Sequence, residues 1–364
     1  MINFFTFNGQ SSLDFGVTIS GGGTFDSPAR SMEAVSVPGR NGDLMVDNGR
    51  YDNVEITYTA FIAHDFKKNF DAFRAWMLSN PGYHRLEDTY HPEEYREAAF
   101  ISSLNPEMVG SYCKAGEFEI TFNCKPQRFL KSGEEQITFY PTSTVGDAPN
   151  SQYMVQNIPV TAGDLCSVTA RGLPGTSSQT VQIEFLGASG RPIDTIFKEG
   201  TTSTITVQGQ AEQSGRIFAY FPVLAENATI AVGNQTYDYV NGGIVFRNRT
   251  RYASRPMIQA VSELYSGGDP FSIVVNDTEV SVGEFTPTVS GVLTTIIDCE
   301  NDDVYYNNAT SGPVSVNMVT TVTKNGETAP TFPTFQPGDN MIYTHLAESN
   351  PIVRYIVTPR WWTI

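Results

Sequence analysis

Tyr355-Ile356-Val357-Thr358-Pro359-Arg360-Trp361-Trp362-Thr363-Ile364 closes the chain and carries two of its three tryptophans. Indole is costly to leave in water, and a chain end frays unless something holds it. An apolar, β-branched run followed by Pro-Arg-Trp-Trp therefore reads as a final strand docked into a core. Three further stretches of distinctive turn chemistry accompany it. Val37-Pro38-Gly39-Arg40-Asn41-Gly42-Asp43 lies near the N-terminus. Cys124-Lys125-Pro126-Gln127-Arg128-Phe129-Leu130-Lys131-Ser132-Gly133 comes about a third of the way along, and Phe332-Pro333-Thr334-Phe335-Gln336-Pro337-Gly338-Asp339-Asn340 shortly before the end.

Around the first of these turns the pattern is that of β-strands. Phe5, Phe7, Leu13, Phe15, Val17 and Ile19 recur at short intervals, then comes a glycine turn at Gly21-Gly22-Gly23. Val35 and Val37 lead into the turn at Pro38, and Leu44-Met45-Val46 follows it. Val54 to Ile62 alternates with period two. One amphipathic helix interrupts the strands: Phe66, Phe70, Phe73, Trp76 and Met77 fall on one face, Asp65 is the candidate N-cap, and Asn80-Pro81-Gly82 stops it. This aromatic stripe reads as a core face packed on a sheet. With strands at 98–104 and 116–124, the first third is an α+β domain, mostly β.

The composition changes near Tyr140-Pro141. From there to 241 lysine occurs only at Lys198, and short strand candidates recur without a helix at 167–170, 180–186, 194–197, 203–207, 216–223 and 229–232. Such spacing argues for a β-sandwich of jelly-roll type. From about Ile244 onward, further strands at 257–261, 271–275, 292–299, 340–344 and 352–358 make a second all-β sandwich. The fold class expected is mainly β.

At 364 residues the chain exceeds the size at which one core keeps growing, so two or three domains are expected. The formal net charge of −16, spread along all three segments, argues against nucleic-acid binding through phosphate neutralisation. No run approaches the roughly 18 apolar residues that span a bilayer. Met1-Ile2-Asn3-Phe4-Phe5-Thr6-Phe7 reads as a strand rather than a basic-then-apolar leader, which points to a protein made and kept in a cytoplasm until it is built into something larger. The cysteines, Cys113, Cys124, Cys166 and Cys299, lack metal or redox spacing. Cys113 and Cys124 lie close enough in sequence for neighbouring strands, but in a cytoplasmic product free buried thiols are the expectation.

Catalytic chemistry finds little support. His84, Glu87, Asp88, His91, Glu93 and Glu94 form the densest titratable cluster, and they read as an exposed polar loop with ion pairs to Arg85 or Arg96. No nucleophile elbow, phosphate-binding loop or dinucleotide fingerprint occurs, so no enzyme activity, cofactor or metal is expected. The aromatics Phe218, Tyr220, Tyr237 and Tyr239 of the middle segment are candidates to stack on sugar rings. Alternation puts Phe218 and Tyr220 on one strand face and Phe221 on the other, and one of those faces must be core.

In sequence order, a PGRNG turn, a KPxRFLKSG segment, an FPxFxPGxN turn and a PRWWxI terminus resemble the distal tail protein of long-tailed (siphovirus-type) bacteriophages, the ring-forming hub of the tail tip. The resemblance covers the two outer thirds of the chain; residues 141–241 match nothing in it. It implies a ring-forming belt domain over 1–132, a galectin-like β-sandwich from 133–140 and 242–364, and an inserted domain over 141–241. A structureless loop of roughly a hundred residues is improbable, whereas an inserted domain with neighbouring ends is economical. Such an insert looks like the carbohydrate-binding modules of some enlarged distal tail proteins, which implies host-glycan binding. The resemblance further implies a homohexameric ring at the virion tail tip, with the tail tube protein, the tape-measure protein and tail-tip adhesion proteins as partners. The competing reading is a secreted, multi-module glycan-binding or glycoside-hydrolysing protein, which calls for a leader and a catalytic carboxylate pair. A tail-like injection device shares the same ring physics.

Overall fold

The longest strand, Ala115–Leu130, organises the N-terminal part of the molecule. The structure is a computed structural model that describes residues 2–21, 24–109, 114–146, 151–262, 270–283, 292–308, 312–314, 319–346 and 352–364. They fall into two compact units, Met1–Glu134 with Trp361–Ile364, and Glu135–Arg360.

In the first unit Ala115–Leu130 pairs with Val54–Ile62 on one side and Glu94–Phe100 on the other, within a nine-stranded sheet. His84–Asp88, Phe5–Phe7 and Gln10–Ser11 extend it on one flank, and Val17–Gly21 closes the other. Period-two alternation sends Phe118, Ile120, Phe122 and Cys124 inward and leaves Glu117 and Glu119 in solvent. Helix Phe66–Leu78 lays its aromatic stripe on that inner face, with the Phe70 and Phe118 rings 5.0 Å apart and Phe5 stacked on Trp76 at 6.1 Å. Asp65 sits at the N-cap position but in a left-handed conformation (φ 51°) and makes no side-chain cap, contrary to the expected capping role. The Phe66 N–H is met instead by the Lys114 carbonyl at 3.2 Å.

The KPxRFLKSG segment lies in the second half of the long strand. Pro126, with no N–H to donate, falls where the pairing with Glu94–Phe100 shifts register between Cys124 and Arg128. Beyond the shift Phe129 stacks on Tyr95 at 5.2 Å and pairs with Trp362, and the Leu130 N–H donates to the Trp361 carbonyl at 2.9 Å. Gly133 leaves room for that terminus: a Cβ there would sit 2.2 Å from the Trp361 nitrogen. The C-terminus is thus docked as expected, but Trp361–Ile364 belong to the first unit and not to the C-terminal sandwich. Arg360 turns the chain with a φ of 56° while its guanidinium donates to buried Asp298 at 2.7 Å.

The expected polar loop around residues 84–96 is corrected by the structure. His84–Asp88 and Glu94–Phe100 are paired strands joined by a short turn. Asp88 organises that turn, accepting from the Tyr90 and His91 N–H groups at 2.9 Å and from the Tyr58 hydroxyl at 2.7 Å.

The second unit holds two face-to-face packings. Strands between 142 and 240 place a five-stranded sheet (Thr142–Val145, Gln152–Val160, Gly215–Pro222, Gln179–Gly187, Pro192–Gly200, in spatial order) against Thr204–Gln210, Leu165–Arg171, Asn227–Val232 and Gln235–Val240. Phe221 of the first layer meets Tyr239 of the second at 5.9 Å. The remaining strands place Ile137–Phe139, Ile352–Thr358, Met257–Ser262 and Leu293–Asp298 opposite Gly243–Asn248, Gly338–Leu346 and Phe271–Val275, with Phe139 edge-on to Phe246 at 5.6 Å. The FPxFxPGxN turn is locked into this core. Phe335 bridges Ser254 and stacks on Phe246, and buried Asn340 donates to the Gln336 and Gly338 carbonyls and accepts from the Gln336 N–H.

One ten-stranded sheet runs through both packings. Its continuity comes from the hairpin of Gln235–Val240 with Gly243–Asn248, turned by Asn241-Gly242 with both residues at positive φ. The expected boundary at residue 241 therefore falls inside a hairpin. Cys124, Cys166 and Cys299 are buried free thiols; Cys113, and with it the Cys113–Cys124 neighbourhood, lies outside the described residues.

Candidate functional site

Two surfaces stand out, one in each unit. The first is a two-stranded hairpin, Arg30–Val35 with Leu44–Tyr51, which forms a sheet of its own. The PGRNG turn is its tip, with Gly39 and Gly42 in left-handed conformations (φ 80° and 82°) that other residues resist. Register pairs Ala34 with Met45 and Glu33 with Val46, so Met32 and Met45 share one face while Val35, Leu44 and Val46 share the other. All five of these side chains are exposed. A lone two-stranded hairpin is marginal in water, and among the described residues these apolar groups, open on both faces, meet no core.

The base of this arm is held firmly. Arg30 forks onto Asp47, with Nη2 at 2.6 Å from Oδ2, and lies over the Tyr51 ring; Asp47, held below the usual carboxylate range by that pairing, also accepts from the Gly49 N–H. One turn earlier, residues 24–26 run across a buried polar cluster. Arg128 Nη2 donates to the Thr24 carbonyl at 2.8 Å, and His91 Nε2 donates to the same oxygen at 3.1 Å. His91 Nδ1 is then free to accept from Arg128 Nη1 at 3.3 Å, and Glu94 lies 3.6 Å from the same nitrogen. Phe25 sits edge-on to the His91 ring at 4.6 Å.

The second surface is the outward face of the five-stranded sheet. Register places Ser143, Met154, Tyr220, Gln182 and Phe197 side by side across all five strands, with Phe218, Glu184 and Thr195 in the adjoining row. Phe197 is 62% exposed, and Phe218 and Tyr220 are half-buried. The Tyr220 hydroxyl donates to Glu184 at 3.0 Å; burial, then that hydrogen bond, pushes its pKa up to about 12, so it remains a donor at neutral pH. This face combines aromatic surfaces with an amide and a carboxylate.

Of the four aromatics expected here, the structure brings Phe218 and Tyr220 together on this face. The other two are corrected. Tyr239 is 1% exposed with its hydroxyl donated to the Tyr140 carbonyl, and Tyr237 is buried against the Tyr140 ring. Both point inward from Gln235–Val240, toward the layer that holds Phe221. Sequence reading missed Phe197 and Gln182; the signal was the edge strand itself, since pairing Pro192–Gly200 with Gln179–Gly187 aligns them with Tyr220. Among the described residues, no three His, Cys, Asp or Glu side chains are placed to hold a metal ion.

No protein-family model matches the sequence, and no curated protein matches it. Comparison with solved structures does give matches. The Dit (gp 19.1) protein of phage SPP1, described as a paradigm of the hub adsorption apparatus in Gram-positive infecting phages, is 8% identical and aligns with a TM-score of 0.51 over 98% of both chains. A chain of the phage p2 baseplate in its activated conformation with strontium aligns with a TM-score of 0.37 at 10% identity, covering 96% of this chain and 99% of that one. Over nearly its full length, this chain therefore has the fold of a distal tail (Dit) protein.

Proposed function

We propose that this chain is a structural hub protein of a phage tail tip, and that copies of it close into a ring, six by resemblance, through the first unit. The observation that carries this reading is the hairpin arm: a β-ribbon whose apolar side chains are open on both faces in a chain with a Dit fold. A heterologous contact, the same arm meeting the same receiving surface on each neighbour, closes into a ring without leaving a patch over. The partners are then other copies of the chain along with tail tube, tape-measure and adhesion proteins, and the protein's place is the virion tail tip. It works by shape and contact and not by catalysis. Light scattering of the purified chain tests the assembly: a discrete, concentration-dependent oligomer is expected, and a monomer at every concentration overturns it.

The outward sheet face of residues 142–222 favours a second role, binding of a host-surface saccharide. Aromatic faces suit the C–H faces of pyranose rings, and Gln182, Glu184 and the Tyr220 hydroxyl offer donors and acceptors to sugar hydroxyls. Phe197 and Tyr220 lie two strands apart, about 10 Å, a span suited to successive rings of one glycan chain crossing the strands. Ring copies multiply a weak site through avidity. Binding of the full chain to purified wall polysaccharide tests this role. Joint replacement of Phe197 and Tyr220 by alanine should abolish retention, whereas Tyr237→Phe should leave it intact. Undiminished retention by the double variant refutes the assignment.

A further inference from the structure

We propose that Arg128 is a positioning residue for assembly: its guanidinium clasps the backbone at the root of the arm and so fixes the direction in which the arm leaves the first unit. This inference rests on the reading of the arm as the assembly element.

The argument begins from the cost of burying this group. Arg128 stands on the inner side of Ala115–Leu130, directly opposite a second buried arginine, Arg96, on the neighbouring strand. Two like charges facing each other across a strand pair oppose folding, and burial adds a desolvation penalty. Neither arginine serves the apolar core, which ends at Cys124 and Leu86. Such an arrangement is retained where the charge holds something that an apolar side chain does not. What Arg128 holds is backbone: the carbonyl of Thr24 at 2.8 Å and that of Asp26 at 3.5 Å, just ahead of the arm strand that begins at Arg30. A guanidinium is suited to this because its rigid fork fixes direction as well as distance.

The surrounding groups keep that fork aimed. His91 accepts from Arg128 while donating to the same Thr24 carbonyl, and Glu94 balances the charge from the other side. On the opposite flank Tyr90 takes the Gly21 N–H at 2.9 Å, so both sides of the crossing chain are tied to the turn at 89–93. Among the described residues the arm makes no sheet pairing with the rest of its unit. Its orientation therefore depends on its root, and the clasp is the buried part of that root.

The test uses the full chain with Arg128→Gln, which keeps a donor but loses the charge and the fork, and with Phe25→Ala, which loosens the same clasp from its exposed side. The wild-type chain is measured alongside. Assembly is read by light scattering across a dilution series. Arm orientation is read by spin-label distances between Asn41→Cys at the tip and Lys67→Cys on the helix, with Cys113 replaced by serine. The expected result is at least a tenfold weaker assembly and a broadened tip-to-helix distance for both variants, with amide protection of Val54–Ile62 unchanged. A wild-type chain that never assembles overturns the assembly reading, although the distance measurement still judges the clasp. Variants that assemble like wild type, or that retain a narrow distance distribution, overturn the clasp. Loss of protection in Val54–Ile62 in step with assembly shows a merely structural arginine and also overturns it.

Discussion

Replacing Leu44, Met45 and Val46 together by threonine removes apolar surface from both faces of the arm while keeping residues that favour strands. In the isolated chain these side chains are 43%, 54% and 41% exposed, so roughly half of each remains to be buried by a neighbour. Fully burying a side chain of this size is worth about 1.5–3 kcal/mol, and the open half of each about 1 kcal/mol. The triple substitution therefore costs about 2–3 kcal/mol at each contact, a roughly 30- to 150-fold weaker association. The fold of a single chain should hardly change, because exposed substitutions away from caps and networks stay within about 0.5 kcal/mol. Mass photometry of wild type and variant over a nanomolar-to-micromolar dilution series reads the shift, with a thermal melt as control. A variant that assembles at the wild-type concentration, with an unchanged melt, refutes the claim that the arm's apolar faces drive association.

Gly133→Ala drives a methyl into the backbone of Trp361, and overpacking of this kind costs about 1–3 kcal/mol; proteolysis near the C-terminus should accelerate, and an unchanged digestion pattern contradicts the docking account. Arg96 has both terminal nitrogens buried without a hydrogen-bond partner, and burial followed by Arg128 depresses its pKa. Arg96→Met should therefore be neutral or stabilising by about 1–4 kcal/mol in denaturant titration, and a marked destabilisation shows that the guanidinium is satisfied in solution. Asp298 is held below its usual range: burial opposes this, but the hydrogen bonds from Arg360 and Asn301 prevail. A depressed folded-state pKa contributes stability that is present above the ordinary carboxylate value and is lost as pH falls through the folded value. The second unit should thus lose stability below about pH 4, and Asp298→Asn should flatten that acid limb; an acid limb identical in both proteins contradicts the pairing.

The helix and most strands were legible because their periodicity is strong: a stripe of four aromatics and a methionine at helical spacing and the alternation of Val54–Ile62 admit one reading each. The arm's turn was legible from its glycines and proline. That its apolar residues stay exposed on both faces was not, since alternating apolar residues look alike whether buried or waiting for a neighbour. Tyr237 and Tyr239 misled for a related reason. Alternation says that they share a face, but only the sheet packed against Phe221 decides that this face is inside. The role of Arg128 was hidden because an arginine in a strand ordinarily reads as a solvated side chain; what buries it is the crossing of residues 24–26, about a hundred positions away in sequence. Asn241-Gly242 reads equally as a type I′ hairpin turn and as a break between domains, and only the pairing of Gln235–Val240 with Gly243–Asn248 decides for the hairpin.

Cryo-electron microscopy of the purified full chain tests the central claim most directly. Closed rings in which Arg30–Tyr51 of each copy lies on the first unit of the next are predicted, with Leu44, Met45 and Val46 removed from solvent. Particles that remain single chains at high concentration, or rings in which the arm stands free in solvent, contradict the account.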